Sequence, residues 1–287
     1  MSEVTFGIDC SSYQNPVDWT AVRASGIGFA ILKASEGASH SSSREAYFLH
    51  NAAAAKANGL LIGAYHFYRA DEDPSTQAAV FRQVLEASGT PMDLPAALDV
   101  ETTDGASEEW VAEGALECLG VLEGDFERTP LLYSYPDFIN FFLPAELFKS
   151  FPLWLASYPA VGASFGLPSY SPVLPSGYPT YSVWQYSATG TVPGISSSVD
   201  LNLFWGTREE LAAIGVPTPW PGYVMEYGGA QNVASDVKRV QKRLSVEQTG
   251  VYGMTTACTV MAFQRENGIG QTAQVGEQTW NALFNNG

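Results

Sequence analysis

Two acidic residues stand close together at the end of an apolar segment. Asp99 and Glu101 follow the apolar run at 94–98 and precede a turn-like Thr-Thr-Asp-Gly sequence at 102–105. Because side chains alternate between the faces of a strand, these two point the same way, with Cα atoms about 6.5–7 Å apart. Such a pair suits glycosidic bond cleavage, in which one carboxyl group acts as acid and the other as base, nucleophile or charge stabiliser. A surface strand with two solvated acids would look the same, so support is needed from the rest of the chain.

Further acids end other apolar segments. Asp9 and Glu36 each follow such a run, and Asp200 lies in a Val-Asp-Leu-Asn sequence. In a β/α barrel the carboxyl ends of the strands meet at one face, where active sites lie. Clustered carboxylates raise the pKa of at least one member, which keeps a glutamic acid protonated near neutral pH. We therefore predict catalytic roles for Asp9, Asp99, Glu101 and Asp200, and a substrate contact at Glu36.

Aromatic and polar residues mark the ends of other apolar runs. Rings of this kind can line a groove for a sugar chain, although strand alternation should place about half of them in the core. The predicted substrate-binding residues of this group are Tyr65, Tyr133, Trp154, Trp184 and Gln185.

The histidines and cysteines show no pattern of a metal or disulfide site. The three histidines are dispersed, and we interpret His66 as a core residue. Cys10, Cys118 and Cys258 are widely spaced, which indicates reduced structural cysteines. We expect neither a metal nor another cofactor.

Composition and charge limit the class of protein. The 287 residues are 46% hydrophobic and 15% charged, which is typical of a folded protein. The net charge is −16, and residues 231–287 contribute +1, so the remainder is strongly acidic and unsuited to nucleic acid. The sequence shows no signal peptide pattern and no apolar stretch of about 18 residues. We therefore expect synthesis in a cytoplasm and no membrane insertion.

The order of elements predicts two domains. Residues 1–206 alternate β-rich runs with helical segments, which indicates a parallel β/α barrel. The Pro- and Ser-rich segment at 159–179 predicts that the last strands lack helices. Residues 207–230 read as a Pro-rich linker, and 231–287 as a small all-α domain of three helices. These helices show no convergent polar set, which favours a binding module over a second catalyst.

The first domain resembles the family-25 glycoside hydrolases, which are lysozymes of the muramidase type. The resemblance covers residues 4–205 and includes GIDCSSYQ at 7–14, FAILKASEG at 29–37, GAYHFY at 63–68 and DVE at 99–101. It implies cleavage of the β-1,4 bond between N-acetylmuramic acid and N-acetylglucosamine, with Glu101 as general acid and Asp99 as second carboxylate. Asp9 and Asp200 would tune charge and hold the sugar ring.

The end of the chain resembles a three-helix peptidoglycan-binding domain, through VKRVQKRL at 237–244, GVYG at 250–253 and VGEQTW at 275–280. Together the two resemblances imply a bacteriophage endolysin, which accumulates in the host cytoplasm and reaches the wall through a separate, holin-like membrane hole. Two alternatives are another glycosidase, such as a glucosaminidase or chitinase-like enzyme, and a non-catalytic wall-binding protein.

Overall fold

Eight strands close into a barrel in the larger of two units. The computed structural model describes residues 3–158 and 165–284. The chain forms two compact units, Met1–Val216 and Pro217–Gly287. The strands are β1 Val4–Cys10, β2 Phe29–Glu36, β3 Leu61–Phe67, β4 Ala97–Asp99, β5 Leu131–Ser134, β6 Leu153–Ala156, β7 Val183–Gly190 and β8 Val199–Trp205. They pair in chain order, and β8 closes the barrel against β1.

Helices follow most of the early strands. They are α1 Trp19–Ala24, α2 Ser42–Ala57, α3 Pro74–Ser88, α4 Glu108–Phe126, α5 Pro136–Phe142, α6 Ala145–Phe148 and α7 Arg208–Ala212. Asp73 and Ser107 accept hydrogen bonds from the first backbone N–H groups of α3 and α4, which fixes where these helices begin. Between β6 and β7 the described residues form no helix, and residues 159–164 of this connection lie outside the described part. The prediction of a barrel whose last strands lack helices is confirmed.

The last strand runs against the others. Strands β1 to β7 pair in parallel, whereas β8 is antiparallel to both β7 and β1. The prediction of a parallel barrel is therefore wrong for β8. The connection at 191–198 is shorter than the dozen or so residues that a parallel crossover requires, so β8 can only return antiparallel.

The barrel wall separates two packed layers. The interior layer includes Phe29, Ile31, Tyr133 and Trp154, while the outer layer lies between strands and helices. Strands β2 to β6 are buried along nearly their whole length on both faces, as strands of a covered parallel sheet must be.

The segment predicted as a linker is ordered at both ends. Leu211 of α7 is fully buried in the interior layer of the barrel. Arg128 donates hydrogen bonds of 2.8 Å to the carbonyl groups of Ala212 and Ile214, which ties this segment to the first unit. Residues 217–230 belong to the second unit, where Met225 is buried. The boundaries at 206 and 230 stay a prediction, although Leu211 and Met225 show that apolar side chains of this Pro-rich segment pack into the two cores.

The second unit contains three helices, as predicted. They are α8 Ala234–Arg243, α9 Met254–Glu266 and α10 Glu277–Phe284, and their core includes Val237, Val260 and Trp280. The expectation that no polar groups converge here is wrong. Gln241 and Gln264 are buried, and each gathers several hydrogen-bond partners.

Candidate active site

Asp99 and Glu101 lie at the carboxyl end of β4. The backbone N–H of Val100, between them, donates to the carbonyl of Tyr133 at 3.0 Å, so the chain stays extended past the strand. Val100 packs into the outer layer, and the alternation of side chains turns both acids inward. Asp99 is buried and Glu101 is partly exposed. The Oδ1 atom of Asp99 is buried without a hydrogen-bond partner among the described residues.

Asp9 and Asp200 form a carboxyl pair on neighbouring strands. They lie directly opposite each other in the β1–β8 ladder, and a side-chain hydrogen bond joins them. Burial and the nearby Asp9 carboxylate raise the pKa of Asp200 to about 9. Burial also raises the pKa of Asp9, although hydrogen bonds from two amides offset part of this effect. One proton is therefore shared, and it lies on Asp200 because Asp9 accepts the amide hydrogens.

Hydrogen bonds from two side-chain amides stabilise the ionised form of Asp9. Gln185 Nε2 and Asn202 Nδ2 each donate to Asp9 Oδ2 at 2.7 Å. Asn202 Oδ1 accepts from Trp154 Nε1 at 2.8 Å, and Gln185 Oε1 accepts from Tyr133 at 2.9 Å. Because both amide oxygens are occupied by donors, the NH₂ groups can only face Asp9. The orientation of each amide is thus set by its partners.

Aromatic rings form the floor beneath these groups. Trp154 makes edge contacts with Tyr133 and Tyr65 at centroid distances of 4.6 and 6.0 Å, and all three are buried. Tyr158 is partly exposed and also donates its hydroxyl hydrogen to Gln185. Trp154, Tyr133 and Tyr65 hold the polar groups in place, and Tyr158 is the ring that a ligand can reach.

A cationic cluster borders the acids. Lys33 Nζ lies 2.8 Å from Glu36 Oε2 and 4.2 Å from the ring centroid of Phe67. Arg69 donates from Nε to Glu36 Oε1 at 3.1 Å. Burial acts to raise the pKa of Glu36, but Lys33, Arg69 and Arg44 outweigh it and lower the pKa to about 2. Both oxygens of Glu36 are engaged by these cations, so Glu36 positions Lys33 and Arg69, and its contact with substrate stays a prediction.

The acids of β4 are suited to proton transfer. Burial raises the pKa of Asp99 well above its usual range, and the neighbouring Glu101 raises it further. Burial also raises the pKa of Glu101, while the positive charges of Lys33 and Arg69 limit the rise. A partly exposed carboxyl group with a raised pKa can carry a proton to a leaving oxygen near neutral pH.

Trp184 does not reach this site. It is fully buried in the outer layer, and its Nε1 donates to the carbonyl of Ser157 at 2.9 Å. Gln185, the next residue, faces inward, so alternation along β7 turns Trp184 outward. The prediction of Trp184 as a substrate contact is therefore wrong. The other predicted residues, Glu36 included, are brought together at one end of the barrel.

Four residues of the site were not predicted individually from the sequence: Lys33, Arg69, Tyr158 and Asn202. Lys33 interrupts the apolar run at 29–34, and Asn202 lies between Leu201 and Leu203, which is a signal that could have been used. Tyr158 follows β6, and its contact with Gln185 depends on the pairing of β6 with β7.

Among the described residues, no group of three or more His, Cys, Asp or Glu side chains is arranged to hold a metal ion. In the same part of the chain, no helix is long and apolar enough to cross a membrane.

Comparisons with known proteins extend over both units. The Escherichia coli (strain K12) protein YegX is 34% identical over 212 residues, which are 72% of each chain. The autolytic lysozyme of Clostridium acetobutylicum is 32% identical over 270 residues, 92% of this chain and 74% of that protein. The structure of a family 25 glycosyl hydrolase from Bacillus anthracis matches with a TM-score of 0.61 and 26% identity, covering 75% of this chain and 94% of that one.

Family models match the two units separately. The model of a peptidoglycan binding domain matches residues 233–283, which contain α8, α9 and α10. The model described as glycosyl hydrolases family 25 matches residues 8–195, and these include Asp9, Asp99 and Glu101. The match covers more than half of the chain and ends before β8, which carries Asp200 and Asn202. The chain therefore belongs to glycosyl hydrolases family 25.

Proposed function

We propose that the chain is an N-acetylmuramidase, which hydrolyses the β-1,4 bond between N-acetylmuramic acid and N-acetylglucosamine in peptidoglycan. Glycoside hydrolysis follows from the family, and the C-terminal match indicates the polymer. The autolytic lysozyme relative supports the bond. The observation that carries the proposal is the pair on β4, in which Glu101 is reachable from solvent and Asp99 is buried beside it.

Glu101 is the general acid in this mechanism. Burial favours the protonated form of this carboxyl group, which gives its proton to the leaving glycosidic oxygen as the bond breaks. Positive charge then develops on the sugar ring, and the charge shared by Asp9 and Asp200 stabilises it.

Asp99 supplies the second carboxylate in its ionised form, which is favoured when Glu101 carries the proton, because the charge of Glu101 raises the pKa of Asp99. Its partnerless Oδ1 can accept a hydrogen bond from the 2-acetamido N–H of the substrate, attack the sugar directly, or activate water. These routes give different results. Inversion at the anomeric carbon indicates activated water. Retention indicates a covalent intermediate, formed either with Asp99 or with the 2-acetamido group of the substrate. Slower cleavage of a trifluoroacetamido substrate then distinguishes acetamido participation from attack by Asp99.

The test of the activity is the identity of the new reducing ends. Purified peptidoglycan is digested, reduced with borohydride and analysed by mass spectrometry. Reduced N-acetylmuramic acid supports the proposal, whereas reduced N-acetylglucosamine indicates a glucosaminidase. Wall binding without new reducing ends would leave a wall-binding protein.

The test of the site is Glu101→Gln. We expect a loss of about 10²–10⁴-fold in kcat with an unchanged fold, because the amide cannot give up a proton. Glu109→Gln, an exposed change on α4, is the matched control and should keep full activity. Near wild-type activity in Glu101→Gln would remove Glu101 from this role.

We also propose that the chain acts as a bacteriophage endolysin, made in the host cytoplasm and released by a separate membrane hole. The pairing of a hydrolase with a wall-binding unit supports a lytic role, and the same pairing supports an autolytic one. Expression in a bacterial cytoplasm separates them. An endolysin lyses the cells only after a membrane-permeabilising agent is added, whereas an exported autolysin lyses them without it.

A further inference from the structure

A buried glutamine organises the first half of the second unit. Gln241 on α8 directs its Nε2 hydrogens to Thr249 Oγ1, the carbonyl of Val251 and Thr256 Oγ1, at 2.9–3.0 Å. Its Oε1 accepts the backbone N–H of Gly250 at 2.9 Å. All the polar atoms of this carboxamide are therefore used to hold one loop in shape.

The same arrangement occurs a second time in the unit. Gln264 on α9 lies 23 residues after Gln241, and it directs its Nε2 hydrogens to Thr272 Oγ1, the carbonyl of Gln274 and Thr279 Oγ1. Its Oε1 accepts the backbone N–H of Ala273 at 3.0 Å. Each partner is displaced by the same 23 residues, so the unit contains an internal structural repeat.

The two loops differ in what surrounds them. In the second copy, Gln274 donates to Glu226 at 2.7 Å, and Val275 pairs with Met225, so the preceding segment lies against this loop. The first copy borders an open groove of about 340 Å³. Val251, the counterpart of Gln274, is 67% exposed there.

The lining of this groove, the 241 groove, shows which chemistry it can bind. Val246, Val251 and Met254 provide aliphatic surface, and Thr249 and Thr255 provide hydroxyl groups. None of the described residues that line it carries an aromatic ring or a positive charge. A sugar ring would find no stacking surface here, whereas a peptide with small side chains would find aliphatic contacts and hydrogen-bond partners.

Only one charged side chain is found among the described residues that line the 241 groove, and its charge is negative. Glu247 is exposed and forms no salt bridge with any residue that the structure describes. The stem peptides of peptidoglycan contain alanines, one γ-linked glutamate and one diamino acid, whose side-chain amine is positive when it is not cross-linked. The small alanine side chains therefore match the aliphatic lining, and the amine matches the charge of Glu247.

We propose that the 241 groove binds the stem peptide of peptidoglycan, with Glu247 pairing with the free amine of the diamino acid. This inference rests on the proposed function, because it takes the cell wall as the ligand of the second unit. It goes further in naming the peptide, rather than the glycan, and in placing the contact on one copy of the repeat.

The experiment is titration of the full-length protein with soluble probes, followed by NMR. The probes are the tetrapeptides L-Ala–γ-D-Glu–X–D-Ala, with lysine or diaminopimelate at X, the same peptides with the side-chain amine acetylated, and chitotetraose. The variants are Glu247→Gln and the matched control Glu277→Gln. Glu277 is also acidic and begins α10 in the second copy, where it corresponds to Met254.

We expect the free-amine peptides to bind about fivefold more weakly to Glu247→Gln, which corresponds to the ~1 kcal/mol of an exposed ion pair. Acetylated peptides should bind the wild type and Glu247→Gln equally, and Glu277→Gln should behave as wild type. Equal losses in both variants, or no saturable peptide binding, would overturn the proposal.

A second variant separates shape from charge. Val251→Gln introduces the residue that the second copy has at this position. It should weaken the binding of both the free-amine and the acetylated peptides. Binding of chitotetraose that depends on Val251 would instead assign the groove to the glycan. Cleavage of soluble glycan fragments is measured in parallel. If cleavage is absent while the peptide binds, the proposed function fails and the groove assignment stands.

Discussion

Arg69 and Asp104 join the loops that follow β3 and β4, with Arg69 Nη1 at 3.0 Å from Asp104 Oδ1. The backbone N–H of Ala70 donates to the other carboxyl oxygen of Asp104, also at 3.0 Å. Asp104 has a positive φ of 46°, which places it in the turn three residues after Glu101. The loop that carries the proposed general acid is therefore held in place from a neighbouring strand.

Arg69→Met should disturb Glu101 in two ways. Loss of the tether should lower kcat by about tenfold, because a displaced acid transfers its proton less well. Loss of the positive charge should raise the pKa of Glu101, since Arg69 lowers it in the wild type. A general acid works in its protonated form, so the alkaline limb of the pH–activity profile should move to higher pH.

The control for this prediction is Arg82→Met. Arg82 forms ion pairs with Glu86 and Asp125 on α3 and α4, away from the acidic site. Arg82→Met should leave the pH–activity profile unchanged. Asp104→Asn should lower kcat without moving the alkaline limb as far, because the charge of Arg69 remains. An unmoved limb in Arg69→Met would contradict the electrostatic part of the argument.

Asp9 and Asp200 should respond differently to the same change. Asp200→Asn replaces a protonated donor by an amide that can still donate to Asp9. Asp9→Asn keeps an oxygen that can accept from Gln185 and Asn202, but it removes the negative charge and turns an NH₂ group towards the protonated Asp200. We expect Asp9→Asn to lose more activity and stability, because the carboxylate charge is lost and two hydrogen-bond donors face each other unless the buried Asp200 gives up its proton. Equal losses in kcat and in unfolding free energy would contradict the assigned proton.

Asp200 also predicts a dependence of stability on pH. Its pKa is raised to about 9 in the folded state, from a usual value of 3.8. Between these values the unfolded chain releases the proton and the folded chain keeps it, so stability falls as pH rises. Denaturant unfolding at several pH values should show a steeper fall in wild type than in Asp200→Asn, by at most ~1.4 kcal/mol per pH unit. Parallel curves would show that Asp200 is charged in the fold.

His66 predicts an effect of the opposite sign. It is fully buried, with Nδ1 at 2.7 Å from Ser35 Oγ and Nε2 at 3.2 Å from Gln77 Oε1. Burial lowers its pKa from 6.5 to about 4. As pH falls through this window, the unfolded chain binds a proton that the folded chain excludes, and stability drops by roughly 3 kcal/mol in total. NMR titration of the ring is the measurement, and a midpoint near the usual value would contradict it.

Two truncations test where the catalytic unit ends. A chain that stops at Val216 keeps Leu211 in the barrel and the bonds from Arg128, so it should fold and cleave soluble fragments normally. On whole walls it should bind about tenfold or more weakly, because the tethering unit is absent. A chain that stops at Gly206 loses the buried Leu211, worth about 1.5–3 kcal/mol, and should melt at lower temperature. Equal melting temperatures would place the boundary where the sequence suggested.

The sequence predicts the acidic site well because strand ends are visible in it. Asp99 and Asp9 follow apolar runs, and a barrel brings all such ends to one face. The sequence cannot choose between Trp184 and Gln185, because β7 is buried on both faces and shows no alternation of apolar and polar residues. Only the closed barrel decides which of these neighbours faces inward.

Other features depend on contacts between distant segments. Arg69 stands in a loop without any motif, and its partners Glu36 and Asp104 follow different strands. The contacts of Arg69 therefore follow from tertiary structure rather than from local pattern. The repeat in the second unit, in contrast, is visible in the sequence, because Gln241, Thr249 and Thr256 recur at the same spacing as Gln264, Thr272 and Thr279.

The antiparallel β8 makes activity a reporter of correct barrel closure. Asp9, Gln185 and Asn202 lie on β1, β7 and β8, the first strand of the catalytic unit and its last two. A slip of one residue along β8 would turn Asp200 and Asn202 out of the interior. A nascent chain that has not yet reached Val199 leaves β1 without its closing partner and Asp9 without Asn202. Catalytic competence thus arises only when the final strand is added, at the very end of the unit's synthesis.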